Sequence, residues 1–201
     1  MLSVLLNEAA AEALGARCAP GAWGPAGGLA PALAERVARG IVRRGQVLMW
    51  AGAGAGAGPA AGAGAGAGAG TGTGSGSGSR DGVVPGGFPD LTGWECSVTS
   101  LHLEDFVPVR TTVSEDGVPA LDEDVQLLLL QHGFALATEV CRLAGALEPP
   151  VPVQCLVSAN DSSATFRFHR MRAGESWVAA DLDAYRSEKI VTVAGRLPGL
   201  C

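Results

Sequence analysis

Residues 122–150 read DEDVQLLLLQHGFALATEVCRLAGALEPP, and the reading of this stretch decides the fold. At 100° per residue, Leu127, Leu129, Leu130, Phe134, Leu136, Ala137, Val140, Cys141, Leu143 and Leu147 share an arc of roughly 200°. Gln131, His132, Thr138, Glu139 and Arg142 take the opposite side. So wide an apolar arc predicts a central, mostly buried helix. Asp122 is placed to cap it, Glu123 and Asp124 set negative charge against the positive end of the helix dipole, and Glu148-Pro149-Pro150 ends it.

Toward the C-terminus, VPVQCLVSA (151–159) and ATFRFHRMR (164–172) are rich in β-branched and aromatic residues and flank NDSS, which predicts a hairpin. KIVTV (189–193) reads as a final strand, preceded by a loop or short helix at VAADLDAYRSE (178–188). Toward the N-terminus, WECSVTSLHL (94–103) and FVPVRTTV (106–113) read as two strands followed by a turn at SEDG. In the first fifty residues, Leu2, Leu5, Leu6, Ala9 and Ala13 recur at helical spacing up to Gly15. Pro31 opens a second helix whose stripe of Leu33, Val37 and Ile41 lies opposite Arg36, Arg39 and Arg43.

The expected fold is α+β: a two-layer sandwich of an antiparallel sheet of about five strands packed by one long helix. Three segments are expected: an amphipathic helical pair at 1–50, a low-complexity Gly/Ala/Ser linker at 51–89, and the α+β domain at 90–201. Two short helices cannot bury both stripes in each other, so the pair is expected to dock on the C-terminal body or on a partner.

The linker contains AGAGAGAGPAAGAGAGAGAGTGTGSGSGSR (51–80), in which every glycine from Gly52 to Gly78 occupies an even position. GxGxxG needs glycines three apart and GxxxxGK needs them five apart with a lysine, so both phosphate-binding motifs are excluded within the run. Pro59 breaks a silk-like ladder, and ordering the glycines is entropically expensive, so a flexible tether spanning about 30 Å is expected.

The chain has 201 residues and a formal charge of −6, unevenly distributed. Residues 1–50 carry five arginines against Glu8, Glu12 and Glu35, whereas residues 90–148 carry eleven acids against Arg110 and Arg142. The overall sign argues against extended duplex nucleic acid as a partner. Lys189 is the only lysine, and the Ala, Gly, Pro and Arg bias suggests a GC-rich coding sequence. Cys18, Cys96, Cys141, Cys155 and Cys201 include no CxxC pair and are odd in number, so a reduced, cytoplasmic protein is expected. Glu8 and Glu12 interrupt the apolar opening, which does not resemble a secretory signal, and no membrane span is expected.

His102 and Glu104 form H-x-E, half of a zinc-deaminase signature, but the PCxxC half is missing. Glu175, Asp181 and Asp183 do not match a calcium loop, and no GxSxG occurs. No cofactor, metal or catalytic residue is therefore assigned. In FRFHRMR, Phe166 and Phe168 alternate with Arg167, His169 and Met171, so the phenylalanines are expected beneath the long helix and the other three on the opposite face, where the cations offset the acidic 90–148 region or meet a partner. The candidate contact residues are Arg167, His169, Met171, Arg36, Arg39 and Arg43. The expected function is a soluble, non-enzymatic interaction module, a homodimer or a binder of another protein. The alternatives are a small enzyme with an unrecognised site and a weak single-stranded nucleic-acid binder.

Overall fold

A computed structural model describes residues 2–15, 23–52, 84, 87–113 and 119–195. The Gly/Ala run lies almost wholly outside the described residues. In chain order the elements are β1 (Leu2–Leu6), α1 (Glu8–Leu14), α2 (Pro31–Arg39), β2 (Ile41–Arg44), β3 (Val47–Trp50), α3 (Leu91–Thr99) and β4 (Leu101–His102). They continue with β5 (Thr112–Val113), β6 (Pro119–Ala120), α4 (Glu123–Gly145), β7 (Val153–Ala159), β8 (Ala164–Arg170) and β9 (Lys189–Gly195). The fold is α+β, with a five-stranded antiparallel sheet in the order β1-β9-β7-β8-β4 packed against α4.

The central helix forms as its sequence dictates. Asp122 accepts a hydrogen bond from the Val125 amide at 2.8 Å, and Leu129, Leu130, Leu136, Ala137, Val140 and Ala144 are all fully buried. Among the described residues, α4 is the one helix long and apolar enough to cross a bilayer, but its apolar face is already taken by the sheet. The β7–β8 hairpin turns at Asn160, whose Oδ1 accepts from the Ser162 and Ser163 amides at 2.9 Å each, an Asx turn that sets the Ala159–Ala164 register.

Strand parity assigns the two faces of the sheet. Val157 lies against Gly133, the Cys155 thiol bonds to Ala137 O at 3.8 Å, and Gly195 faces Cys141, so these residues point at α4. Phe166 and Phe168 are cross-strand partners of Val157 and Cys155, and with Trp50 they form a buried aromatic cluster on the same side. Because β8 and β9 are both antiparallel to β7, they run parallel to each other. The 171–188 connection must therefore travel the length of the sheet, and with α4 on one face it crosses the other. Trp177, from this crossover, stacks over Arg167 at 5.7 Å.

Several local expectations need correction. The opening apolar stretch is strand first and helix second: Leu2–Leu6 pairs with β9, and α1 begins only after Asn7, whose Oδ1 accepts from the Ala10 amide at 3.0 Å. The second N-terminal helix is present as α2, but it ends at Arg39, so Ile41 and Arg43 belong to β2. Both helices dock on the body, α1 against β9 and α4, and α2 against α4. WECSVTSLHL is a strand only at its end, where Leu101–His102 pair with β8 as β4: residues 91–99 are helical, because two of its polar side chains find buried work that only a helix can place. FVPVRTTV keeps only the two-residue strand β5.

Candidate interaction surface

The expected contact residues are divided between the two sides of the sheet. Arg36 lies over the Trp50 ring at 5.1 Å, and burial lowers its pKa. Arg39 is exposed and pairs loosely with Glu35 at 3.9 Å, and Arg43 is exposed on β2. Arg167, His169 and Met171 lie on or beside the face away from α4. There Arg167 lies over the Trp177 ring and donates to Thr165 Oγ1 at 3.1 Å, while the Met171 amide donates to Pro152 O at 2.9 Å.

His169 is corrected most sharply. It is 1% exposed, its Nδ1 sits 2.9 Å from Arg170 O, its Nε2 has no partner among the described residues, and burial lowers its pKa. Alternation placed it on the right face, but the crossover covers that face. An acidic substitution there would bury an unpaired carboxylate and would test folding rather than binding. His132 is likewise buried at 7%: its Nδ1 accepts the Ala30 amide at the start of α2 at 3.3 Å, and burial lowers its pKa. His102 Nδ1 lies 3.4 Å from Glu104 Oε1, whose companion oxygen accepts the Ala164 amide at 3.1 Å. Among the described residues, no group of three or more His, Cys, Asp or Glu side chains could hold a metal ion.

The two edges of the sheet are built differently. Beyond β4, the exposed edge of β8 is closed by two side chains one turn apart on α3. Thr99 Oγ1 donates to Phe168 O at 2.7 Å and accepts the Phe168 amide at 3.1 Å, and Glu95 Oε2 accepts the Arg170 amide at 3.0 Å. Glu95 is fully buried. Its Oε1 takes the Leu48 amide of β3, and its Oε2 also takes Arg172 Nη1 at 2.7 Å. Burial pushes its carboxyl up, while Arg172 and the two backbone amides pull the other way. Arg172 continues to Gln46 O at 2.6 Å, and Glu175 accepts from Thr92 Oγ1 at 2.7 Å, so one polar cluster fastens α3, the β2–β3 turn, β8 and the crossover together. Every donor to Glu95 is already used internally, so the cluster acts as a staple.

Among the described residues, nothing pairs with the other edge. β1 ends the sheet, pairing only with β9, and its sequence LSVLL has no charge and no proline. Leu2 and Leu5 are 45% and 60% exposed, among the most exposed large apolar side chains described. Edges are ordinarily blunted by charge, proline, a bulge or a covering element; β1 has none of the first two, whereas β8 has the last. Its hydrophobic periodicity is compatible with helix or strand, and the sequence signal that decides is Asn7, a cap that places the helix start after Leu6.

Residues 81–195, more than half of the chain, match the model of the Uncharacterized protein PM0498 family. The chain belongs to that family. No curated protein and no solved structure matches it. The PM0498 match runs from the residues just before α3 through β9, and so contains four of the five sheet strands, α4 and the Glu95–Arg172 pair. β1, α1, α2 and the β2–β3 hairpin lie N-terminal to it.

Proposed function

We propose that this PM0498-family chain is a non-enzymatic interaction module that self-associates by pairing the open β1 edges of two copies. The observation that carries the reading is the contrast between edges: α3 seals β8 with a buried carboxylate and a threonine, while β1 presents outer-edge backbone unpaired by any described residue and two exposed leucines. Antiparallel pairing about a two-fold axis at Val4 sets Ser3 opposite Leu5 of the second copy and Leu2 opposite Leu6, with no charge on the strand to repel its mate. Five-residue pairing contributes a handful of hydrogen bonds at roughly 0.5–1.5 kcal/mol each plus leucine burial, which fits a dimer of about micromolar affinity.

The register supplies its own test. Ser3 and Leu5 are both exposed, so Ser3→Lys with Leu5→Lys leaves the fold intact but sets lysines against lysines across the axis. Light scattering from about 1 to 200 µM is expected to show a concentration-dependent dimer for the parent and a monomer for the lysine variant. Mixing the lysine variant with its glutamate counterpart should restore a heterodimer. A parent that stays monomeric throughout, or a lysine variant that dimerises as well as the parent, would overturn the proposal.

A further inference from the structure

Cys141 on α4 and Cys155 on β7 face each other across the helix–sheet interface. Cys155 pairs in register with Val193 of β9, and the Cys141 thiol reaches Val193 O at 4.0 Å. The Cys155 thiol reaches Ala137 O, one turn before Cys141, at 3.8 Å, so the two thiols are neighbours in the interface between α4 and the sheet. Both thiols are free. Gly195 keeps the space open, because a Cβ there would stand 3.2 Å from the Cys141 sulfur.

The two sulfurs are not equivalent. Cys155 is fully buried, and burial raises its pKa. Cys141 is 7% exposed and lies beside Gly195 near the end of β9; the neighbouring Cys155 and the Gly195 backbone lower its pKa, against the effect of burial. A less buried thiol beside a second thiol is the arrangement in which oxidation stops at a disulfide.

We propose that Cys141 and Cys155 are an oxidant-responsive pair that closes to a disulfide and clamps α4 to the sheet. With hydrogen peroxide as oxidant, the Cys141 thiolate attacks one peroxide oxygen, the O–O bond breaks, and the sulfur becomes a sulfenic acid as hydroxide leaves and is protonated to water. The Cys155 sulfur then attacks the sulfenic sulfur, forms the S–S bond, loses its proton and expels a second water. Two thiols lose two electrons and two protons in all, and one peroxide is reduced to two waters.

The test uses the folded full-length chain, reduced and then exposed to peroxide, with remaining thiols alkylated before digestion. Trypsin cuts after Arg142, between the two cysteines, so a disulfide leaves two tryptic peptides, one with Cys141 and one with Cys155, joined and two mass units lighter than their sum. That cross-link is expected, with Cys96 recovered alkylated. The oxidised chain is expected to melt about 5–10 °C higher, as closing a short loop predicts, and Cys141→Ser is expected to abolish the shift. Recovery of Cys141 and Cys155 both alkylated, of Cys141 as sulfinic acid, or of either joined to another cysteine would overturn the proposal.

Discussion

Replacing Glu95 with alanine tests whether the polar cluster holds the fold together. The carboxylate is fully buried and accepts three donors: the Leu48 amide, the Arg170 amide and Arg172 Nη1. Its removal orphans two backbone amides at roughly 1–3 kcal/mol each. Arg172 loses its shortest carboxylate contact but keeps Gln46 O at 2.6 Å, Thr92 Oγ1 at 3.3 Å and Arg170 O at 3.2 Å. The sum is about 4 kcal/mol, in the range for breaking a buried ion pair. For a chain of this size it should lower Tm by about 8–16 °C. Urea unfolding followed by far-ultraviolet circular dichroism measures it. A buried ion pair can often be exchanged for hydrophobic side chains at no loss, but here Glu95→Leu with Arg172→Met still strands both amides and is expected to lose at least about 2 kcal/mol. A loss below about 1 kcal/mol for the alanine variant, or a leucine–methionine variant as stable as the parent, would show that the carboxylate does not organise this edge.

Two further outcomes follow from packing and titration. Gly133→Ala should destabilise by about 1–3 kcal/mol despite alanine's better helix propensity, because its Cβ would overlap Val157 Cγ1 and stand 3.1 Å from Leu103 Cδ1. Adding Val157→Ala should recover part of the loss in a denaturant titration, and an undiminished loss would point away from this contact. Burial lowers the His132 pKa, so above its unfolded value of about 6.5 the ring is neutral in both states and its contribution is complete. As pH falls below that value the unfolded chain binds the proton first, and stability is lost down to the folded pKa. His132→Asn keeps an acceptor for the Ala30 amide without titrating, so it should lose less stability than the parent between about pH 7 and 5.5. Glu95, with its pKa raised, acts in the opposite sense in both proteins and cancels in the comparison.

The sequence exposed the elements whose local preferences agree with their packing. Asp122, the leucine arc and the double proline bracket α4 (Glu123–Gly145), and Asn160 with the β-branched runs around it marks the β7–β8 hairpin. It concealed those whose side chains act at long range. In WECSVTSLHL the valine, threonine and tryptophan favour a strand, but Glu95 and Thr99 satisfy β8 amides only when set one helical turn apart, and tertiary hydrogen bonding overrode propensity. His169 alternates correctly with Phe168, yet alternation reports a face and not what covers it. The cover follows from topology: β8 and β9 are parallel, so the 171–188 crossover must pass over their outer face. At the candidate interaction surface, the arginines drew attention because they are charged. The uncharged LSVLL reads as helix from periodicity alone because its leucines fit both periods.

The competing surfaces respond oppositely to salt, which makes the choice between them physical. Each copy carries a formal charge of −6, so two copies repel one another at long range, while the β1 strands that would meet are uncharged. Screening then relieves repulsion without weakening the contact, and β1 pairing should tighten as salt rises from about 20 to 300 mM across the range where the Debye length falls below 10 Å. Contact through Arg36, Arg39 and Arg43 with the acidic residues of 90–148 in a second copy is an attraction between opposite charges and should loosen over the same range. Sedimentation of the parent at two ionic strengths thus separates the edge from the arginines without any mutation. Association that weakens with salt would move the interface to α2 and β2, whatever the lysine variant of β1 does.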